Sequence, residues 1–166
     1  SSASAKRFID ARADVWQVFG RASALASMNR FAEALDAIAP WAYPSGAGGT
    51  PPEGLCPEFF KTLLWHLLRS DIRAGRPSKG IDGWIEASAR ASALAARSNC
   101  HDCSLLAAAR FLTIERRLQD DRKRLDACRA FLALQPAHLA VGLECLTLAE
   151  KTGNGELAAD LALMLA

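Results

Sequence analysis

Strand-forming chemistry is scarce in this chain. It holds a single tyrosine, and its β-branched residues are few beside its alanines and leucines. That balance disfavours sheet and favours helix. An excess of one charge is also missing, since 20 lysines and arginines face 18 aspartates and glutamates for a net charge of +2. Bulk electrostatics therefore call for neither nucleic acid nor an acidic membrane surface. No apolar run approaches the roughly 20 residues that a membrane span needs, so no membrane partner is expected. The opening stretch from Ser1 to Lys6 is small and polar and lacks the apolar segment of a secretory signal. No methionine opens the chain, and the expectation is a processed form or a piece of something longer.

Catalytic signatures are absent as well. The sequence has no phosphate-binding glycine loop, no GxSxG, no HExxH and no paired-carboxylate motif. Gly46 to Gly49 does not lead from a strand into a helix, as a phosphate loop should. Neither His66 nor His138 has an acid or nucleophile at fixed spacing. The chain is therefore expected to be no enzyme and to need no cofactor. Five cysteines, Cys56, Cys100, Cys103, Cys128 and Cys145, make an odd count without a regular framework. That argues against a secreted disulfide scaffold and for an intracellular, reducing location.

What the chain does have is apolar residues at helical spacing. They make up 51% of 166 residues, enough to build a sizeable core. Trp16, Phe19, Ala22 and Ala26 recur along a first stretch, from about Phe8 to Ser27. Ala34, Leu35 and Ile38 mark a second helix that Pro40 ends. Residues 43–56 are rich in glycine and proline and read as a flexible loop, an insertion in the first place and a binding loop as the alternative. Pro57 suits the first turn of a third helix, with the stripe Phe60, Leu64, Leu67, Leu68 and Ile72. Trp84, Ala87, Ala91 and Leu94 mark a fourth. A fifth, capped by Asn99 or Asp102, carries Leu105, Ala108, Phe111, Leu112 and Glu115. Leu125, Cys128, Phe131 and Leu132 lie on a sixth, closed by Pro136. A seventh runs from about Ala137 to Lys151, and an eighth follows the Gly153-Asn154-Gly155 turn. Trp16 and Trp84 sit at packing positions and are expected in the core. Eight helices and short turns predict one all-α domain of antiparallel hairpins, over about 5–42, 57–98, 102–135 and 137–166.

A degraded repeat accompanies the pattern. The last two hairpins align at a spacing of 34 residues, which places Phe111-Leu112 on Cys145-Leu146, Glu115 on Ala149 and Gln119 on Gly153. Trp16, Phe19, Gly20 and Ser23 form a large–large–small opening, and Asn29 to Leu35 form a turn and second-helix start. These residues resemble the tetratricopeptide-repeat (TPR) family in degenerate form. The likeness spans almost the whole chain, although Arg124 stands where the family wants a small residue. The resemblance implies an α-solenoid of stacked hairpins that binds a partner segment along a groove lined by first helices.

In that register Arg21, Arg69, Arg73, Thr113, Arg116 and Arg117 point to the groove, and Trp65, off the main stripe, can face it. Such a groove suits an acidic peptide or helix. The plainer alternative is a solvated face with pairs such as Arg116–Asp120 and Arg122–Asp126. The family's lysine and asparagine clamp for a C-terminal carboxylate is not found. Cys100-His101-Asp102-Cys103 has the spacing of a metal or redox pair, but no second ligand pair completes a zinc site and no βαβ unit accompanies it as a redox pair usually has, so the expected reading is a helix-capping turn with incidental cysteines. The apolar end, Leu161 to Leu165, predicts either cover by further chain, a second copy or a partner, or a short helix folded back. The leading expectation is a non-catalytic scaffold or adaptor for another protein. The alternatives are an RNA-binding array of pentatricopeptide type, which irregular spacing and low charge weigh against, and a regulatory or docking domain of a larger enzyme.

Overall fold

Left-handed residues follow four of the described helices. The computed structural model describes residues 16–42, 57–74 and 80–166. Asn29, Asn99, Gln119 and Gly153 all have positive φ, between 49° and 76°. At three of these turns the same hydrogen-bond frame recurs. The Arg30 amide reaches the Leu25 carbonyl at 2.8 Å, Cys100 reaches Ala95 at 3.2 Å, and Asn154 reaches Ala149 at 2.8 Å. Each bond caps orphan carbonyls of the outgoing helix and leaves its donor residue as the first cap of the next.

Among the described residues every long element is a helix and no strand occurs. Helix α1 occupies residues 16–27. It is followed by α2 (Phe31–Ile38), a 3-10 turn (Ala39–Trp41), α3 (Pro57–Ala74) and α4 (Gly80–Arg97). Then come α5 (His101–Leu118), α6 (Asp121–Leu134), α7 (Leu139–Lys151) and α8 (Gly155–Leu165). The all-α expectation holds for these residues. Among them no helix is long and apolar enough to cross a membrane. The loop expected at 43–56 lies outside the described residues.

The chain forms two compact units, Ser1–Ala107 and Ala108–Ala166. In the first, α2 packs on α3 and α4. Its core joins Leu35 and Ile38 to Phe60, Leu64, Leu67 and Leu68, and to Ala91, Leu94 and Cys103. Trp84, buried as expected, donates its indole N–H to Asp71 at 3.3 Å, so the ring's polar edge is satisfied inside the fold. In the second unit α6 packs on α7 and α7 on α8. Leu125, Cys128, Phe131 and Leu132 are buried there, as are Val141, Cys145, Leu148 and Leu161.

Four expectations need correction. Trp16 is 64% exposed rather than core, and meets Phe19 edge-on at 6.0 Å. The buried positions of α5 are Cys103, Ala107, Arg110, Leu112 and Ile114, so of the expected stripe Leu112 is buried while Leu105, Ala108, Phe111 and Glu115 are half-buried. One of these positions holds a wholly buried arginine, Arg110, a residue type seldom found in a core. Neither Asn99 nor Asp102 caps α5, since the positive φ of Asn99 ends α4, Cys100 precedes α5 and Asp102 lies inside its first turn. Ala137 lies in a turn ahead of α7, and His138 caps that helix by accepting the Val141 N–H at 3.2 Å.

Candidate functional site

The residues expected to line a groove divide between the units. Arg21, Trp65, Arg69 and Arg73 belong to the first, and Thr113, Arg116 and Arg117 to the second. On α3, Trp65 and Arg69 are one turn apart, and the guanidinium carbon sits 4.9 Å from the ring centroid. This is a stacked cation–π pair that holds the charge at the surface without deep burial. Arg73 is exposed one turn further along. Arg21 lines an open cleft of about 280 Å³ with Gln17, Val18 and Trp41. The Thr113 hydroxyl turns back to the Ala109 carbonyl at 2.9 Å, and Arg117 is exposed.

Arg116 has a different role from the one its neighbours in sequence indicate. Its Nε lies 3.0 and 3.1 Å from the two carboxylate oxygens of Glu144 on α7. Arg124 of α6 reaches the same carboxylate at 2.6 Å. Asp120, expected to pair with Arg116, instead caps α6 by accepting the N–H groups of Arg122 and Lys123. Burial alone would raise the Glu144 pKa, but hydrogen bonds and attraction from both guanidiniums outweigh it and hold the carboxyl below its ordinary value. The same carboxylate raises the Arg116 pKa through its hydrogen bond. Nearby, burial drives the Cys128 thiol up to about 12, with Glu144 and Cys145 adding to the effect. Burial likewise raises Cys145. Both are free and buried, and burial disfavours their thiolate forms.

The α7–α8 pair carries an exposed apolar face. A Cβ placed on Gly142 would stand 2.7 Å from a terminal methyl of Leu165, so the end of α8 lies against the first turns of α7. Leu161 is buried in this pair. The helix thus folds back onto its neighbour, one of the two outcomes expected for the apolar end. Leu139 and Leu143 stand one turn apart on α7 at 60% and 49% exposure, and Leu163 of α8 reaches 78% beside an exposed Met164. Helix α7 buries Val141, Cys145 and Leu148 on one side and shows leucines on another. The sequence signal for this surface is an apolar residue set on both faces of α7.

Cys100 and Cys103 are joined in a disulfide. A bridge between these two sulfurs removes them as thiolate ligands for a metal. Among the described residues no group of three histidines, cysteines or acids gathers as a metal site would need. Cys100 precedes α5 and its Sγ accepts the Cys103 N–H at 3.3 Å, so the capping role holds too. No protein-family model, no curated protein and no solved structure matches the chain.

Proposed function

We propose that this chain is a TPR-like array of helical hairpins acting as a non-catalytic interaction module, which holds a segment of a partner protein within a larger assembly. The observation that carries the reading is the apolar face of α7 and α8, where Leu139, Leu143, Leu163 and Met164 stand in solvent. Full burial of such a side chain is worth about 1.5–3 kcal/mol, so four large apolar residues left in solvent on two packed helices favour a surface that a partner covers. The recurring turn frame at Leu25–Arg30, Ala95–Cys100 and Ala149–Asn154 supports the array. The exposed Arg69 and Arg73 supply orientation toward an acidic segment. Arg116 contributes less, because its guanidinium is engaged by Glu144.

The test is affinity capture from native extract with the wild type, Leu143→Asp/Leu163→Asp and Arg69→Glu/Arg73→Glu, each checked for helicity by circular dichroism. A defined protein lost by the first variant supports the reading, and loss by the second adds the basic residues to the interface. A partner retained by both variants refutes it. Capture of RNA with steep salt dependence would favour the nucleic-acid alternative.

A further inference from the structure

The bridge between Cys100 and Cys103 does little as a staple. It closes a loop of only a few residues, where the gain from restricting the unfolded chain is smallest. The two sulfurs also differ in ways a staple does not need. Cys103 is wholly buried in the core of its unit, and its Sγ lies 3.4 Å from the Lys61 carbonyl oxygen. Cys100 is 8% exposed and opens on a cleft of about 320 Å³ between α3 and the start of α5. Lys61, Thr62, Trp65, His66 and Asp102 share that lining, and Cys103 does not. The cleft is therefore lined by one cysteine of the bridge and not by the other.

We propose that Cys100–Cys103 is a redox-active disulfide that exchanges with thiols entering this cleft, with Cys100 as the attacked sulfur and Cys103 as the resolving one. An incoming thiolate bonds to Cys100 Sγ as the bridge breaks. The electron pair passes to Cys103 Sγ, which takes a proton and is placed to donate it to the Lys61 carbonyl. A second thiolate then attacks the sulfur of the bound thiol and releases Cys100 with the other electron pair. Two thiols become one disulfide and the protein becomes a dithiol, so no other oxidant is needed. The departing Cys100 thiolate is received at the α5 N-terminus, where the Cys103 N–H points at it from 3.3 Å. In reverse, the dithiol reduces a disulfide of the partner. The Trp65 ring provides an apolar wall for the approaching group. Small peptide thiols and protein cysteines share this chemistry.

The experiment equilibrates the whole chain in glutathione buffers of graded redox ratio, quenches in acid and maps each cysteine by alkylation and mass spectrometry. A parallel arm replaces glutathione with an unfolded, cysteine-bearing polypeptide. Cys100 and Cys103 should convert together and reversibly while circular dichroism stays unchanged. Transient adducts should sit on Cys100, and the reduced chain should alkylate there at least about tenfold faster than at Cys103. Exchange with glutathione marks a small-thiol partner, and exchange with the polypeptide alone marks a protein partner. Adducts on Cys103, equal alkylation rates, or reduction only after helicity is lost would overturn the proposal. A Cys103→Ser variant should trap the adduct on Cys100. The wild-type time course decides the matter should that variant not fold.

Discussion

Replacing Glu144 with glutamine tests the electrostatic account of the second unit. The substitution keeps the side chain's size and one acceptor oxygen but removes the charge that Arg116 and Arg124 share. The Glu144 side chain is 13% exposed, and a charge-assisted hydrogen bond in such a setting contributes about 1.5–3 kcal/mol. Arg116 is 44% exposed, so its half of the cluster is screened and contributes under about 1 kcal/mol. The expected loss is about 2 kcal/mol, most of it through Arg124, with two neighbouring guanidiniums left to repel each other. For a chain of this length that lowers the melting temperature by about 4–8 °C at pH 7. The effect should depend on pH in one direction. Because the folded pKa is depressed, the unfolded chain binds more protons below the ordinary glutamate range of about 4.3. Stability from this group is therefore complete above that range and is lost as pH falls through the folded value. Wild type and Glu144→Gln should converge in strong acid. Melting curves from pH 7 to pH 2 provide the assay, with Lys123→Ala as a control expected within about 0.5 kcal/mol of wild type. Equal melting at pH 7, or a gap that persists undiminished at pH 2, would refute the reasoning.

Further outcomes follow from burial and backbone geometry. Leu64→Ala removes a wholly buried side chain from the first unit and should lower unfolding free energy in urea by about 2–5 kcal/mol. Gln119→Gly relieves a left-handed residue at φ 58° and should raise stability by about 0.5 kcal/mol, the relief slightly exceeding the entropy cost of glycine. Gly142→Ala crowds only the flexible tip of Leu165 and gains helix propensity, so its net effect should stay within about 1 kcal/mol of zero. Cys128, with its thiol pushed to about 12, should resist iodoacetamide at pH 8 in the folded chain and react once it is denatured.

The helices were legible because local rules and packing agree in this chain. Pro57 opens α3 and Gly153 closes α7 where proline and glycine belong. Phe60, Leu64, Leu67 and Leu68 recur at helical spacing and are all buried. Some residues act against their type: Arg110 occupies a core position of α5, and Asn99 takes a left-handed backbone that ends α4 instead of capping α5, whereas Gln119 shares the positive φ of Gly153, the residue it aligns with. Of the candidate site residues, Trp65 and Arg69 were readable as neighbours because they are one helical turn apart. The Arg116–Glu144 pair was not, since 28 residues separate its members and only tertiary packing joins them. The cysteine pair was visible as spacing. Its asymmetry came only from the third dimension, where α3 covers one sulfur and leaves a cleft over the other.

Photo-crosslinking in native extract addresses the proposed interaction face most directly. A photoreactive amino acid would replace Leu143 in one version of the chain, Leu163 in a second, and the exposed Ala130 of α6 in a third as control. The account predicts the same protein adduct from positions 143 and 163 and none above background from position 130. Equal labelling at all three positions, or no adduct at 143 and 163, would contradict it.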